Sequence, residues 1–211
     1  MVGYQLMYGD FTGENHSGMA DFFFQVVFVA TAASIVSGTI AERAKFWPFM
    51  GVVLVLTAII YPAQGAWTWG GGWLSDIGFS DFAGSTIVHS VGGWCALAGA
   101  MLLGPRAGRY NKNGKPNMMA PANLPLATLG TFILWFGWFG FNGGSQLAMS
   151  TKADVDAIAT VIANTNIAAC AGALMAMIMT YIFYKRIDLT MVLNGALAGL
   201  VSITAGPDYP T

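Results

Sequence analysis

Long apolar runs alternate with short polar connections along this chain, and the alternation predicts a series of helices that cross a membrane. Six runs stand out, at residues 19–41, 48–66, 82–103, 124–148, 155–184 and 191–205. An α-helix needs about 20 apolar residues to cross the hydrocarbon core of a bilayer, and the first five runs approach or exceed this length. The sixth run is the shortest and weakest. Pro62 lies inside the second run, where its missing N–H group predicts a kink.

The composition supports a membrane protein of the helical class. The chain has 211 residues, of which 55% are hydrophobic and 9% are charged, and its mean hydropathy is +0.59. A soluble domain has about 25% charged residues. The apolar runs also lack the strict alternation of a membrane β-barrel. We therefore expect an all-α, polytopic transmembrane helix bundle of about six helices.

The same composition argues against other classes of function. A net charge of −1 gives no basis for binding nucleic acid. Cys95 and Cys170 lie inside apolar runs, where cysteine packs as a small apolar residue. The sequence shows neither a covalent nucleophile nor a phosphate-binding loop. We therefore expect no enzyme activity, no cofactor and no metal site.

Basic residues separate the two sides of the predicted bundle. If the six runs thread back and forth, one side holds eight of the nine basic residues: Arg43, Lys45, Arg106, Arg109, Lys112, Lys115, Lys185 and Arg186. The positive-inside rule makes that side cytoplasmic and puts residues 1–18 outside a cytoplasmic or plasma membrane. The outer connections carry acidic and aromatic residues instead, which favours a cation at an outer vestibule.

Residues 69–89, WGGGWLSDIGFSDFAGSTIVH, place a histidine inside an apolar run. If a helix begins near Asp81, Ser85 and His89 share one face, and His89 lies roughly 12 Å below Asp81 at about 1.5 Å of rise per residue. An ionisable group at that depth predicts a functional site on a pathway. The alternative is a neutral histidine whose hydrogen bonds a neighbouring helix satisfies.

Three residues on three different predicted helices lie at a similar depth below the outer surface. Phe28, His89 and Phe141 each lie roughly 10 Å below the outer surface by helix rise, and Trp69 and Ser145 lie just above them. The arrangement suggests a mouth with an indole and a hydroxyl, a phenyl constriction and a histidine beneath it. An indole face attracts a small cation by about 1–2 kcal/mol.

Each of these residues also has an ordinary structural interpretation. Phe28 is one of 14 phenylalanines and could face lipid or the core. Trp69 could belong to an interfacial aromatic belt. Ser145 could bond back to a carbonyl of its own helix. We interpret Asp81 as a helix cap that organises the vestibule rather than as a direct ligand of the cation.

Four separated motifs resemble the ammonium transporter (Amt/Rh/MEP) family in the same order. They are FQVVF at residues 24–28, GTIAER at 38–43, WGGG followed by DFAGSTIVH at 69–89, and GWFGFNGGS at 137–145. The resemblance covers essentially the whole chain. It implies that residues 1–211 form a single, partial transmembrane domain from the centre of an eleven-helix fold. The N-terminal helices and the C-terminal half of that fold would be missing.

The resemblance also implies roles for individual residues. Trp69, Ser145 and Phe28 would recruit ammonium at the outer face, and Asp81 would be the buried acid that transport requires. Phe28 and Phe141 would form a stacked phenyl gate.

Below the gate, the resemblance makes His89 the first of two histidines that line the pore, and Trp138 another pore-lining aromatic. The second histidine would lie beyond residue 211, since His16, the other histidine of this chain, falls in the outer loop.

The implied function is ammonium transport. The protein would recruit NH4+, deprotonate it at or below the gate, and conduct NH3 through a hydrophobic, histidine-lined pore. Its expected partners are ammonium or ammonia, the lipid bilayer, two further copies in a homotrimer and a cytoplasmic nitrogen-signalling protein. One alternative is an ammonium-sensing membrane module or an inactive fragment that does not conduct. A generic water or gas channel is a third, but it leaves the acidic, aromatic mouth unexplained.

Overall fold

The computed structural model describes residues 17–209, and this part of the chain is helical. Five of its helices are long and apolar enough to cross a membrane, and a sixth apolar helix is shorter. The predicted all-α class and the number of helices are confirmed. The predicted outer loop, including His16, lies mostly outside the described residues.

Within residues 17–209, eight α-helices and two π-helical segments follow one another. The α-helices are α1 (Gly18–Ile40), α2 (Phe46–Val55), α3 (Tyr61–Thr68), α4 (Trp73–Asp76), α5 (Val91–Leu103), α6 (Leu124–Gly144), α7 (Lys152–Tyr184) and α8 (Leu189–Ile203). The π-helical segments are Leu56–Ile60, between α2 and α3, and Ser85–Ser90, which leads directly into α5. The fourth predicted run extends four residues too far, because α6 ends at Gly144.

The second predicted span contains the irregularity that Pro62 suggested. The π-helical segment Leu56–Ile60 ends two residues before Pro62, and α2 and α3 continue the helix on either side. Proline has no N–H group to give to the carbonyl four residues earlier. The wider turn of a π-helix is one of the known ways in which a helix accommodates such a break.

The third span begins later than its apolar pattern predicts. Residues 77–84 form turns and bends, and the helix starts at Ser85 rather than near Asp81. His89 therefore lies only four residues into the helix, on the order of 6 Å of rise. The predicted start of the helix near Asp81 is wrong, so the helical rise of roughly 12 Å from Asp81 to His89 does not apply.

The contacts divide the chain into two compact units. The first comprises Met1–Phe79 and Thr86–Pro121, and the second comprises Ser80–Ser85 and Ala122–Thr211. That the two form a single transport domain stays a prediction.

Small residues let α5 pack closely on α1 in the first unit. A Cβ atom added at Gly92 would lie 2.9 Å from the carbonyl oxygen of Ala32, and Ala96 is buried in the same interface. At the end of these helices, the Arg43 guanidinium donates to the carbonyl of Gly104. Arg106 pairs with Glu42 at 3.6 Å. The basic connections after the first and third spans thus lie at one end of the unit.

The second unit depends on backbone-to-backbone packing between α7 and α8. A Cβ atom added at Gly199 would lie 2.1 Å from the carbonyl oxygen of Ala168, and one at Gly195 would lie 2.5 Å from that of Gly172. Close approach at small residues is typical of helix pairs in membranes. It fixes the position of α8, and with it the position of the chain that follows.

We predict that Gly199→Ala destabilises the protein, because the added methyl group would overlap a main-chain oxygen that has little freedom to move. Overpacking of this kind costs about 1–3 kcal/mol. Gly130→Ala in α6 is the matched control, since a Cβ atom there meets nothing within 4 Å. Thermal unfolding in detergent micelles, followed by circular dichroism, should show a lower midpoint for Gly199→Ala only. Equal midpoints would contradict the packing described for α7 and α8.

Candidate functional site

Asp81 caps the helix that carries His89. Its carboxylate is buried, with 3% of the residue exposed. The Oδ1 atom accepts hydrogen bonds from the backbone N–H groups of Gly84 at 3.0 Å and Ser85 at 2.9 Å. A carboxylate at a helix N-terminus satisfies N–H groups that have no partner within the helix. This is the structural reason why the helix begins at Ser85.

The residues just after Asp81 are held by the end of α8. The N–H group of Phe82 donates to the carbonyl of Ala205 at 2.8 Å, and that of Ala83 donates to the carbonyl of Thr204 at 3.0 Å. Carbonyls at the C-terminus of a helix have no partner within it. The end of α8 and the segment after Asp81 therefore satisfy each other.

Two of the predicted recruitment residues pack together in the first unit. The rings of Phe28 and Trp69 lie 6.1 Å apart between centroids and are tilted by 44°. Phe28 is fully buried, and Trp69 is half-buried just after the end of α3. The ring of Phe24, one turn earlier on α1, is tilted by 46° to that of Phe28, with 4.4 Å between the centroids. The structure thus brings Phe28 and Trp69 together, and their role in recruiting a cation stays a prediction.

His89 is buried within the π-helical segment Ser85–Ser90. The same segment is tied to α3, because Gln64 Nε2 donates to the carbonyl of Ile87 at 2.8 Å. Gln64 was not predicted from the sequence, although an amide inside an apolar run is itself a signal of a hydrogen bond to another helix.

Trp138 and Phe141 are neighbours on α6 in the second unit. Their ring centroids lie 5.7 Å apart, and Trp138 is buried. Ser145 is the first residue after α6, and its hydroxyl donates to the carbonyl of Phe141 at 2.8 Å. This is the back-bond that the ordinary interpretation of Ser145 predicts. It uses the only hydrogen of the hydroxyl and leaves the oxygen as an acceptor.

A buried polar network behind Trp138 was not anticipated from the sequence. Trp138 Nε1 donates to Thr204 Oγ1 at 2.8 Å, and Asn142 Oδ1 lies 3.2 Å from the same hydroxyl. The Nδ2 atom of Asn142 donates to Thr165 Oγ1 at 2.9 Å. Asn142, Thr165 and Thr204 are fully buried. Their signal in the sequence is polarity inside apolar runs, but their partners are 23 to 66 positions away.

The seven predicted site residues divide between the two units. Phe28, Trp69 and His89 belong to the first. The second unit holds the remaining four: Asp81, Trp138, Phe141 and Ser145. The stacking of Phe28 on Phe141, and the convergence of all seven on one path, stay predictions. Among residues 17–209, no group of histidine, cysteine and acidic side chains could hold a metal ion.

Comparison with known sequences gives a consistent result. The model of the Ammonium Transporter Family matches residues 1–211. The chain is 50% identical over 193 residues to the ammonium transporter Amt2 of Archaeoglobus fulgidus, a match that covers 87% of this chain and 40% of that protein. It is 42% identical over 229 residues to a putative ammonium transporter of Synechocystis sp., covering 99% of this chain and 52% of that protein. The chain spans about half the length of these curated relatives.

Solved structures agree with the sequence matches. A structure described as a sensor Amt protein is 49% identical and superposes with a TM-score of 0.83, covering 90% of this chain and 47% of that one. Candida albicans Mep2 is 34% identical with a TM-score of 0.80, covering 90% of this chain and 41% of that one. The helices described above thus match part of a larger helical fold in each of these two structures. Since the family model matches the whole sequence, the chain belongs to the ammonium transporter family.

Proposed function

We propose that the complete protein containing this chain recruits ammonium at its outer face, deprotonates it and conducts ammonia through a hydrophobic pore lined by histidine. The observation that carries this proposal is the family match over residues 1–211. The relatives named above are described as transporters, which supports a transporter in preference to an enzyme. In this proposal residues 1–211 contribute one partial transmembrane domain.

Recruitment would use π faces and oxygen acceptors. The half-buried indole of Trp69, packed against the buried ring of Phe28, would offer a π surface to a small cation. Ser145 offers an acceptor, because its hydrogen is already engaged by the carbonyl of Phe141. Ammonium has only N–H donors, so acceptors and π faces suit it. Asp81 would add a negative charge without direct contact, since one of its oxygens is occupied by two backbone N–H groups.

Conduction would then favour the neutral form. A bare cation in an apolar passage loses its hydration at a large cost in free energy, whereas neutral ammonia loses much less. The gate of Phe28 and Phe141 and the imidazole of His89 would form this water-poor passage. Potassium has no proton to release, so a passage that admits only the deprotonated form would exclude it.

The proposal includes an assembly and a location. Large apolar side chains such as Phe132 and Phe136 on α6 are exposed in this chain. Surfaces of this kind require lipid or other helices. We propose a homotrimer in the cytoplasmic or plasma membrane, with residues 1–18 outside and a nitrogen-signalling protein at the cytoplasmic face.

A sensing role is the second candidate. The structure described as a sensor Amt protein, at 49% identity, favours it. A sensor would keep the ammonium-binding mouth but would not need an open pore. Ammonium-driven flux through the complete protein in proteoliposomes separates the two candidates. An absence of flux together with ammonium binding would support the sensor, and the absence of both would support an inactive fragment.

Asp81→Asn should abolish or strongly reduce ammonium flux while leaving the fold intact. The amide oxygen can still accept from the N–H groups of Gly84 and Ser85, but the negative charge is gone. Asp81→Ala should also abolish flux, and in addition it should destabilise the protein by about 1–3 kcal/mol for each buried N–H group left unpaired.

Flux and thermal unfolding of both variants test this prediction, with Asp76→Asn as a control from the same connection. Near-parental flux in Asp81→Asn would contradict the electrostatic role. Equal unfolding midpoints for the parent and Asp81→Ala would contradict the capping role.

Trp69→Leu should weaken the capture of ammonium at the outer face more than the conduction of ammonia. Loss of a cation–π contact of about 1–2 kcal/mol should raise the concentration for half-maximal flux roughly tenfold, with little change in the maximal rate. Trp73→Leu is the matched control, because Trp73 packs against Trp67 and lies outside the proposed mouth. A uniform loss of flux at all ammonium concentrations would count against recruitment by the indole.

His89→Ala should reduce the rate of flux or the selectivity over potassium without unfolding the bundle. Val88→Ala truncates a neighbouring side chain that is also fully buried. It should lower the unfolding midpoint through the cavity it leaves, with unchanged selectivity. If His89→Ala conducts ammonium with parental rate and selectivity, the histidine has only the structural role considered as the alternative.

A further inference from the structure

We infer that Thr204 is a positioning residue that fixes the Trp138 indole and the segment after Asp81 together, keeping the N–H group of that indole out of the ammonia path. The inference rests on the proposed function, in which Trp138 lines the path and Asp81 is required for transport. Thr204 was not among the predicted site residues, and it lies 66 positions from Trp138 in the sequence.

The side chain of Thr204 holds the indole. Trp138 Nε1 can only donate, and when the ring is buried this group needs an acceptor. Thr204 Oγ1 accepts from it at 2.8 Å. The single hydrogen of the same hydroxyl has two acceptors, the carbonyl of Leu200 at 2.7 Å, one turn back along α8, and Oδ1 of Asn142 at 3.2 Å. Because these acceptors engage the hydrogen, a lone pair of the oxygen is left to accept from the indole.

The main chain of Thr204 holds the segment after Asp81. Its carbonyl accepts from the N–H group of Ala83 at 3.0 Å, and the carbonyl of Ala205 accepts from that of Phe82 at 2.8 Å. One residue at the end of α8 therefore contacts two functional elements, one through its hydroxyl and the other through its backbone.

Comparison with other buried threonines shows which part of this arrangement is ordinary. Thr131 donates to the carbonyl of Ala127 in its own helix at 3.0 Å, and Thr180 donates to that of Met177 at 3.0 Å. Such back-bonds are the ordinary way in which threonine satisfies its hydroxyl within a helix. Thr165 and Thr204 make the same back-bond and in addition accept from a donor on another helix, which is the Asn142 amide for Thr165 and the Trp138 indole for Thr204.

The chemistry of ammonia gives this contact a consequence. Ammonia carries a lone pair and accepts hydrogen bonds, so an unoccupied indole N–H group along an apolar path would hold it. With Nε1 engaged by Thr204, the ring presents carbon atoms to the path. Thr204→Val keeps the size of the side chain and the backbone carbonyl, but it releases the indole N–H group. We therefore expect slower conduction with unchanged capture.

The test compares variants of the complete protein in proteoliposomes, with flux driven by a gradient of ammonium chloride. Thr204→Val should lower the maximal rate about five- to tenfold, as expected for the loss of one buried hydrogen bond. The concentration for half-maximal flux should change by less than about twofold, because Thr204→Val keeps the backbone carbonyl that accepts from Ala83 in the segment after Asp81. Thr204→Ser should restore the rate, and Thr131→Val should behave like the parent.

A double-mutant cycle separates positioning of the indole from a general loss of structure. Trp138→Phe removes the N–H donor itself. If Thr204 acts through that donor, Thr204→Val should reduce the rate by less than about twofold in the Trp138→Phe background. Multiplicative effects of the two changes would overturn the inference, as would a parental rate in Thr204→Val or a failure of Thr204→Ser to restore it.

A measurement without flux distinguishes this inference from the proposed function. The Nε1–H signal of Trp138, observed by solid-state NMR on protein labelled with 15N in the indole, should shift in Thr204→Val and return in Thr204→Ser. If the parent carries no flux, the proposed function fails and this signal alone decides whether Thr204 positions the indole. An unchanged signal in Thr204→Val would refute the positioning, whatever the flux.

Discussion

A polypeptide that enters a bilayer must find an acceptor for each backbone N–H group, because hydrocarbon offers none. Phe82, Ala83, Gly84 and Ser85 present four such groups in succession, directly before the helix that carries His89. The carbonyls at the end of α8 accept from the first two, and one carboxylate oxygen of Asp81 accepts from the other two. The start of the helix, the burial of Asp81 and the position of the end of α8 all depend on these four bonds.

Those bonds depend in turn on packing elsewhere in the second unit. The carbonyls of Thr204 and Ala205 are available where they are needed because α8 lies against α7 at contact distance, with glycines at the crossing. A displacement of α8 by the width of one methyl group would move both acceptors away from the segment after Asp81. Small residues at this crossing thus control the geometry of the candidate site. Mutations at the crossing are therefore expected to affect transport as well as stability.

The sequence predicts the helices well and their irregularities poorly. The apolar runs give each span to within a few residues at most ends, because span length is fixed by the bilayer. The four motifs indicate the ammonium transporter family, because they occur along the chain in the same order as in that family. The start at Ser85 could not be predicted, because Phe82 and Ala83 continue the apolar pattern while their N–H groups bond to α8. Gln64, Asn142 and Thr204 were missed for a related reason: a polar residue in an apolar run reveals that a partner exists, but not which one.

Hydrogen-bond direction offers a physical account of how one path can attract a cation and yet conduct a neutral molecule. Ammonium is only a donor, whereas ammonia is also an acceptor. The hydrogen of Ser145 is engaged by the carbonyl of Phe141, and that of the Trp138 indole by Thr204. In the proposed mechanism the mouth therefore offers acceptors and π faces, which favour ammonium. Apart from the His89 imidazole, the passage would offer carbon, which neither stabilises the cation nor binds the lone pair of ammonia. Selectivity for ammonium would then depend on two features. Hydrogen-bond donors along the path are engaged by acceptors within the protein, and the gate has a limited size.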